Sequence, residues 1–158
     1  MTVRIITVGT LKEKYLSDAV AEYGKRISQY AKLETVELRE ERIQDEGDAM
    51  EVSRALAAEG ERILAAAPRD SYRVALCVEG REVSSEELAA VVARAKDTSG
   101  KLTLIIGSSH GLSDEVKAAC DARISFSRLT FPHQLMRVIL SEALYRSFTI
   151  IAGKRYHK

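Results

Sequence analysis

The sequence predicts an α/β fold with a mainly parallel sheet flanked by helices. Two observations support this: β-branched, apolar runs alternate with segments of helical periodicity, and the strand-helix order repeats five times along 158 residues. Such alternation is typical of parallel sheets covered by helices on both faces. A chain of this length can bury a sizeable core, so we expect a single domain spanning residues 1–158.

The first half contains two strand-helix units. The run VRIITV (3–8) predicts a buried strand, and apolar positions three or four apart predict a helix over about 17–30. The alternating segment LETVELR (33–39) predicts the second strand. A charged loop then leads to a helix predicted over 50–67, which a proline closes.

The second half repeats this alternation with clearer helix starts. Further strands are predicted at residues 72–78, 101–106 and 123–126. The first of these should end at a Glu79-Gly80 turn. Ser84 with Glu87 forms a capping-box pattern, Ser113 can cap a short helix, and Pro132 fits the first turn of the last helix. Ligands of such sheets bind beyond the carboxyl ends of strands, which directs attention to the loops after positions 78, 106 and 126.

Charge is unevenly distributed along the chain. Residues 1–99 carry 15 basic and 19 acidic side chains, whereas residues 100–158 carry 9 and 4, within a net charge of +1. The basic C-terminal third suggests an anionic partner, and nucleic acid is allowed but not required. No apolar run approaches the ~20 residues that span a bilayer, and the first residues lack signal-peptide order. We therefore expect a cytoplasmic protein without a membrane partner.

The segment GSSHG (107–111) matches the G-x-S-x-G pattern of a hydrolase, with Ser109 as the nucleophile. Asp114 or Asp121 and then His133 follow in the right order for a triad. The elbow requires the serine on the turn that enters the helix, whereas the predicted cap lies four residues later. A backbone-binding loop explains the segment better, and the hydrolase remains a distant alternative.

A metal site is not expected. His110, His133 and His157 lack the spacing of a ligand pair, and the two cysteines, Cys77 and Cys120, lie far apart in apolar runs typical of buried structural thiols. No nucleotide-binding glycine fingerprint is present either.

The terminal segment combines several polar side chains with helical spacing. Four of them, each four residues apart, form one polar stripe of the predicted last helix: His133, Arg137, Ser141 and Tyr145. The chain ends with the cationic tail KRYHK. A purely structural interpretation is also open, in which His133 caps the helix, Arg137 pairs with an acid and the tail is solvated. Together the stripe, the tail and the glycine loops favour a functional site.

Four segments resemble one known family: VGTLKEKY, IIGSSHGLS, LTFPHQLMRVILSEALYR and the terminal YHK. They are similar to the RlmH family of SPOUT-class enzymes, which methylate N3 of a pseudouridine in 23S ribosomal RNA. The resemblance covers essentially the whole chain. It implies a C-terminal trefoil knot, with the cofactor-binding part in about residues 100–150. It also implies a homodimer, S-adenosylmethionine as cofactor, and ribosomal RNA as partner.

The resemblance also implies positions for the site. The family's cofactor positions correspond to these residues: Leu76, Gly107, Phe126, Ser127, Arg128, Leu129, Thr130 and Phe131. We hypothesise that His133, or His157 from either chain of the dimer, assists removal of the N3 proton. Arg137 and Arg155 would contact phosphate or carbonyl oxygens. Tyr156 would stack on a base and Tyr145 would contact substrate.

The small net charge bears on the form of the substrate. A chain of +1 cannot hold RNA by charge alone, so the assembled ribosome is expected to be methylated rather than naked RNA. The main rival is a non-catalytic ribosome-binding module of the same fold.

Overall fold

A computed structural model describes residues 1–156 of the protein. The strands are β1 (Thr2–Val8), β2 (Lys32–Leu38), β3 (Tyr72–Glu82), β4 (Lys101–Ile106) and β5 (Ala122–Ser125). The helices are α1 (Lys14–Ile27), α2 (Ala49–Ala66), α3 (Ser85–Thr98), α4 (Asp114–Ala118) and α5 (His133–Ile151). The predicted α/β alternation is confirmed.

The five strands form one parallel sheet in the order β2-β1-β4-β3-β5. Parallel strands place their carboxyl ends at the same edge, so the loops after all five strands open on one side of the sheet. This edge is where a ligand site is expected in such folds.

Successive side chains of β1 point to opposite faces of the sheet, and helices cover both faces. Val3 and Ile5 belong to a core shared with α1, α3 and α5, where Leu144 is fully buried. Ile6 and Val8 belong to a second core shared with α2 and α4. The apolar runs of the sequence are therefore buried on both faces, as expected for an inner strand of a parallel sheet.

The predicted helix caps are confirmed. Ser84 Oγ accepts a hydrogen bond from the Glu87 amide at 3.2 Å, and the Glu87 carboxylate accepts one from the Ser84 amide at 2.8 Å. Ser113 Oγ accepts from the Val116 amide at 3.3 Å and begins α4. These bonds satisfy amides that a helix start leaves unpaired.

Three local predictions need correction. The first helix begins and ends three residues earlier than predicted, because Glu13 is its N-cap and the chain turns after Ile27. The third strand does not end at a Glu79-Gly80 turn. It shifts register between Leu76 and Arg81 and continues along β5. Pro132 is the N-cap of α5 rather than part of its first turn.

No helix within residues 1–156 is long and apolar enough to cross a membrane.

Candidate active site

A cavity of about 570 Å³ lies at the carboxyl ends of β3, β4 and β5, and we call it the β3–β5 cavity. Seven of the eight predicted cofactor-binding residues line it: Leu76, Gly107, Phe126, Ser127, Leu129, Thr130 and Phe131. Arg128 does not line it and is exposed. The three loops selected from the sequence therefore come together around one space.

Backbone contacts within the loop after β4 bring Gly107 and Gly111 close together. A Cβ at Gly107 would lie 2.0 Å from the Gly111 carbonyl oxygen, so only glycine fits this close approach. The Gly111 amide donates to the Ser108 carbonyl at 2.9 Å, and α4 begins only at Asp114. Ser109 Oγ lies 3.2 Å from Nδ1 of His110 but is not on a strand-to-helix turn. The elbow required of a hydrolase is therefore not formed here.

The loop after β5 is organised by two serines. Ser125 Oγ donates to the Ser127 carbonyl at 3.0 Å, and Ser127 Oγ accepts from the Leu129 amide at 3.0 Å. The Leu129 side chain is 70% exposed, so it adds an apolar surface at the mouth of the β3–β5 cavity.

Glu79 and Lys117 line the β3–β5 cavity, and neither was predicted from the sequence as a site residue. Lys117 Nζ contacts Glu79 at 2.6 Å and Asp114 at 2.8 Å. The hydrogen bonds from Lys117 lower the pKa of both carboxyls, and the two carboxylates raise the pKa of Lys117. All three groups stay charged at neutral pH, so Glu79 and Lys117 form an ion pair in the wall of the cavity. Glu79 could have been selected because it directly follows the predicted strand.

A second cavity, of about 450 Å³, lies at the carboxyl ends of β1 and β2, and we call it the β1–β2 pocket. The loop after β1 contributes Gly9, Thr10 and Lys12, and residues 37–40 form another wall. Gln134 also lines the pocket and accepts a hydrogen bond from the Lys12 amide at 3.0 Å. This pocket was not predicted from the sequence, which directed attention only to the three later loops. The glycine directly after the first strand was the available signal.

His133 is the first residue of α5 and lines both cavities. Its Nε2 is buried and has no hydrogen-bond partner in the described part of the chain. Burial lowers the pKa of His133, although the Val8 carbonyl and the Glu40 charge act in the opposite direction. The side chain is therefore a neutral imidazole at neutral pH, with a free ring nitrogen between two cavities.

Arg137 lies one turn further along α5 and is only 4% exposed. Its Nη2 donates to Glu37 at 2.5 Å, whereas Nη1 has no partner within residues 1–156. Ser141 is also buried, and its hydroxyl donates to the Arg137 carbonyl at 2.7 Å. Arg137 and Ser141, the next two residues of the predicted polar stripe after His133, are therefore buried in the protein. Arg137 reaches the β1–β2 pocket only through Glu37, which lines that pocket.

The predicted substrate residues near the chain end form a separate aromatic cluster. The Tyr145 and Tyr156 rings meet edge to face with centroids 4.9 Å apart, and the Tyr156 hydroxyl donates to Glu142 at 3.2 Å. Tyr145 is twelve residues beyond His133, or about 18 Å along the helix axis. Neither tyrosine lines a cavity described above, and Arg155 is exposed. His157 lies outside the described residues.

Comparison with known proteins identifies the family. Residues 1–157 match the family model described as "Predicted SPOUT methyltransferase". The chain is 47% identical to ribosomal RNA large subunit methyltransferase H of Listeria monocytogenes and 45% identical to that of Bacillus pumilus. In both cases the alignment covers the whole of each chain. The chain belongs to the SPOUT methyltransferases, in the RlmH family.

A solved structure supports the fold assignment of this SPOUT chain. The crystal structure of a probable methyltransferase from Bordetella pertussis Tohama I superposes with a TM-score of 0.58 over 92% of this chain and 93% of that one. The two sequences are only 16% identical, so the likeness concerns the fold alone.

Residues 1–156 of this RlmH-family chain contain no group of three or more His, Cys, Asp or Glu side chains placed to hold a metal ion.

Proposed function

We propose that the protein transfers a methyl group from S-adenosylmethionine to N3 of a pseudouridine in large-subunit ribosomal RNA. The observation that carries this proposal is the neutral His133, whose buried, free ring nitrogen lies between two cavities at the carboxyl edge of the sheet. The RlmH relatives are named as ribosomal RNA large subunit methyltransferases, which supports the class of reaction and of substrate.

The β3–β5 cavity suits the methyl donor. Its volume of about 570 Å³ falls within the ~300–1,000 Å³ of small-molecule sites. Leu76 and the loop 126–131 would surround the adenine, and the backbone of the loop at Gly107 would hydrogen bond to polar atoms. The Glu79 carboxylate, paired with Lys117, gives the wall an acidic group that can contact a cationic ligand. The cofactor, when bound, supplies an electrophilic methyl group on a sulfonium sulfur.

His133 would act as the proton acceptor. The N3–H of the acceptor base is a weak acid, so the nitrogen must lose its proton to attack a methyl group. A neutral imidazole at neutral pH can accept that proton, and Nε2, although buried, has no hydrogen-bond partner among the described side-chain bonds. Holding donor and acceptor in line can lower the barrier by about 7–11 kcal/mol. Arg137 would act by fixing Glu37 in the wall of the β1–β2 pocket.

The proposal includes a homodimer with a C-terminal knot in about residues 100–150. Tyr145 and Tyr156 do not line the cavities of their own chain, so in a dimer the tail carrying Arg155 and His157 would approach the site of the partner. The net charge of +1 favours the assembled ribosome in the cytoplasm as the substrate. A non-catalytic ribosome-binding module would show none of the transfer described next.

The test is methyl transfer from labelled S-adenosylmethionine to ribosomes that lack the modification, with the product located by mass spectrometry of RNA fragments. We expect a methyl group on one large-subunit pseudouridine. We expect His133→Gln to lower the rate roughly 10²- to 10⁴-fold, the usual contribution of a general base. No transfer by the unmodified protein, or full activity of the histidine variant, would contradict the proposal or the assigned base respectively.

Cofactor binding can be followed separately through two cysteines. Cys77 lines the β3–β5 cavity, whereas Cys120 does not, and both thiols are free. Burial raises the pKa of Cys77 and raises that of Cys120 to about 11, so both react slowly with iodoacetamide near neutral pH. At higher pH, S-adenosylmethionine should protect Cys77 and leave Cys120 as the internal reference. Protection in the histidine variant would show that its lost activity is not lost binding.

A further inference from the structure

The β1–β2 pocket presents two hydrogen-bond acceptors around one glycine. Gly9 has a φ of +87°, and a Cβ there would lie 3.6 Å from Oε2 of Glu40 and 3.7 Å from Nε2 of His133. A carboxylate oxygen and a free ring nitrogen therefore border the same backbone position. Since glycine adds no side chain, a flat group can lie against the backbone between them.

Buried polar atoms without partners concentrate beside this pocket. Residues 1–156 contain four such side-chain atoms, and three of them belong to Thr7, His133 and Arg137. Thr7 is paired in register with Glu37, the residue that accepts from Arg137 and lines the pocket. Of the three, His133 lines the pocket, and leaving its buried Nε2 without a partner is costly, so a polar ligand in the pocket can supply the missing hydrogen bond.

The charges of the pocket indicate what kind of ligand fits. Lys12 and Arg39 contribute two cations, and Glu37 and Glu40 contribute two anions. A phosphate group would meet both carboxylates, whereas a neutral ring with N–H donors and carbonyl acceptors can use groups of both signs. A nucleobase of the uracil type has this pattern.

We propose that the β1–β2 pocket binds the acceptor base, with N3–H facing Nε2 of His133 and N1–H donating to the Glu40 carboxylate. This inference rests on the proposed function. The ring of pseudouridine is joined to ribose through carbon, so N1 carries a hydrogen, whereas N1 of uridine is bonded to ribose. The two N–H groups flank one carbonyl and point toward two separate acceptors, and the pocket provides two acceptors within 3.7 Å of the position that a Cβ at Gly9 would take. Glu40 is thus the residue that distinguishes pseudouridine from uridine.

The test uses two ribosome preparations that differ only in whether the target position is pseudouridine or uridine. Glu40→Met keeps the approximate side-chain length and removes the acceptor. It should lower kcat/KM on the pseudouridine substrate roughly 10- to 100-fold, the usual effect of losing a hydrogen bond to a charged group. On the uridine substrate kcat/KM should change little, because that base has no N1–H. Glu46→Met is the matched control, since Glu46 is exposed in the same loop and does not line the pocket.

A second pair of variants tests the position of the base without changing a charge. Gly9→Ala would place a methyl group between Glu40 and His133, and Gly100→Ala imposes a similar backbone strain in open space. The φ values of the two glycines are +87° and +66°. Gly9→Ala should lower kcat/KM for ribosomes and leave protection of Cys77 by S-adenosylmethionine unchanged. Gly100→Ala should retain both properties.

The outcomes separate this inference from the proposed function. If the unmodified protein methylates neither substrate, the proposed function fails and the inference falls with it. If the protein prefers pseudouridine and Glu40→Met keeps that preference, the inference alone is overturned. An equal loss on both substrates also overturns it, because Glu40 would then contribute without recognising N1–H.

Discussion

The two ends of α5 lie in contrasting environments. In the first two turns, His133 and Arg137 each keep a buried polar atom without a partner in the described chain, and His133 lines two cavities. In the last turns, Ser147 Oγ donates to the Ala143 carbonyl at 2.8 Å and Thr149 Oγ1 donates to the Arg146 carbonyl at 2.7 Å. One helix therefore combines an end with unused hydrogen-bonding capacity and an end whose polar side chains are satisfied.

This difference shows how a short chain can support an energetically costly site. Leu140 and Leu144 are at most 1% exposed, and Phe148 stacks on Tyr30 with centroids 5.6 Å apart. Their burial contributes free energy of folding that offsets the cost of unpartnered polar atoms at the first turn. Stability and ligand binding should therefore respond to different substitutions along the same helix.

The largest effect on stability is expected from Leu144→Ala. Leu144 is fully buried, and leucine-to-alanine changes in cores usually cost roughly 2–5 kcal/mol in the free energy of unfolding. Urea unfolding would measure this loss, while protection of Cys77 by S-adenosylmethionine should persist where the variant is still folded. Leu135→Ala is the control on the same helix, because Leu135 is 37% exposed and should cost about 1 kcal/mol or less. Equal losses in the free energy of unfolding for the two variants would show that burial of Leu144 does not stabilise the helix more than Leu135 does.

A smaller loss of stability is expected from Glu37→Gln, which tests the other end. The buried Arg137 would lose its counter-charge, but the amide oxygen of glutamine can still accept a hydrogen bond. We therefore expect a cost of about 2 kcal/mol, below the ~3–5 kcal/mol of breaking a buried ion pair completely. Urea unfolding of both proteins at the same protein concentration would measure this change in the free energy of unfolding.

Arg137→Met sharpens this second test. It removes the buried charge, keeps much of the side-chain volume and leaves Glu37, which is 37% exposed, able to contact water. Arg137→Met should therefore cost less than Glu37→Gln. The reverse order would mean that packing of the Arg137 stem, rather than its charge, dominates this end of the helix.

The same comparison shows what the sequence could and could not predict. Helical spacing correctly placed His133 and Arg137 on one face of the last helix. It could not show that this face turns inward, because the partner of Arg137 is Glu37, which is 100 positions away in the chain. Local patterns do not encode such long-range contacts.

Helix caps, strand ends and pockets could be predicted from the sequence to different degrees. The capping pattern at Ser84 depends on neighbours three residues apart, so the sequence alone was sufficient. The register shift in β3 depends on pairing with β5, which local alternation cannot reveal. The β1–β2 pocket depends on β1 being an inner strand, and this follows from the sheet order rather than from any single segment.

The smallest effect, and the one most specific to the first turn of α5, is the pH dependence contributed by His133. Burial holds the pKa of the folded-state imidazole below its ordinary value of about 6.5, so the unfolded chain binds more protons as the pH falls. The stability from this group is therefore complete above about pH 6.5 and decreases as the pH falls toward the folded-state pKa. Urea unfolding between about pH 7.5 and 5 should show this decrease, and His133→Gln should reduce it.

His110→Gln provides the matched control for this titration, because His110 belongs to the loop after β4 rather than to α5. That variant should keep the decrease in stability at low pH. If His133→Gln and the unmodified protein lose stability in parallel, the imidazole is not buried in its neutral form. His133 would then lack the neutral, buried imidazole that proton transfer at this end of α5 requires.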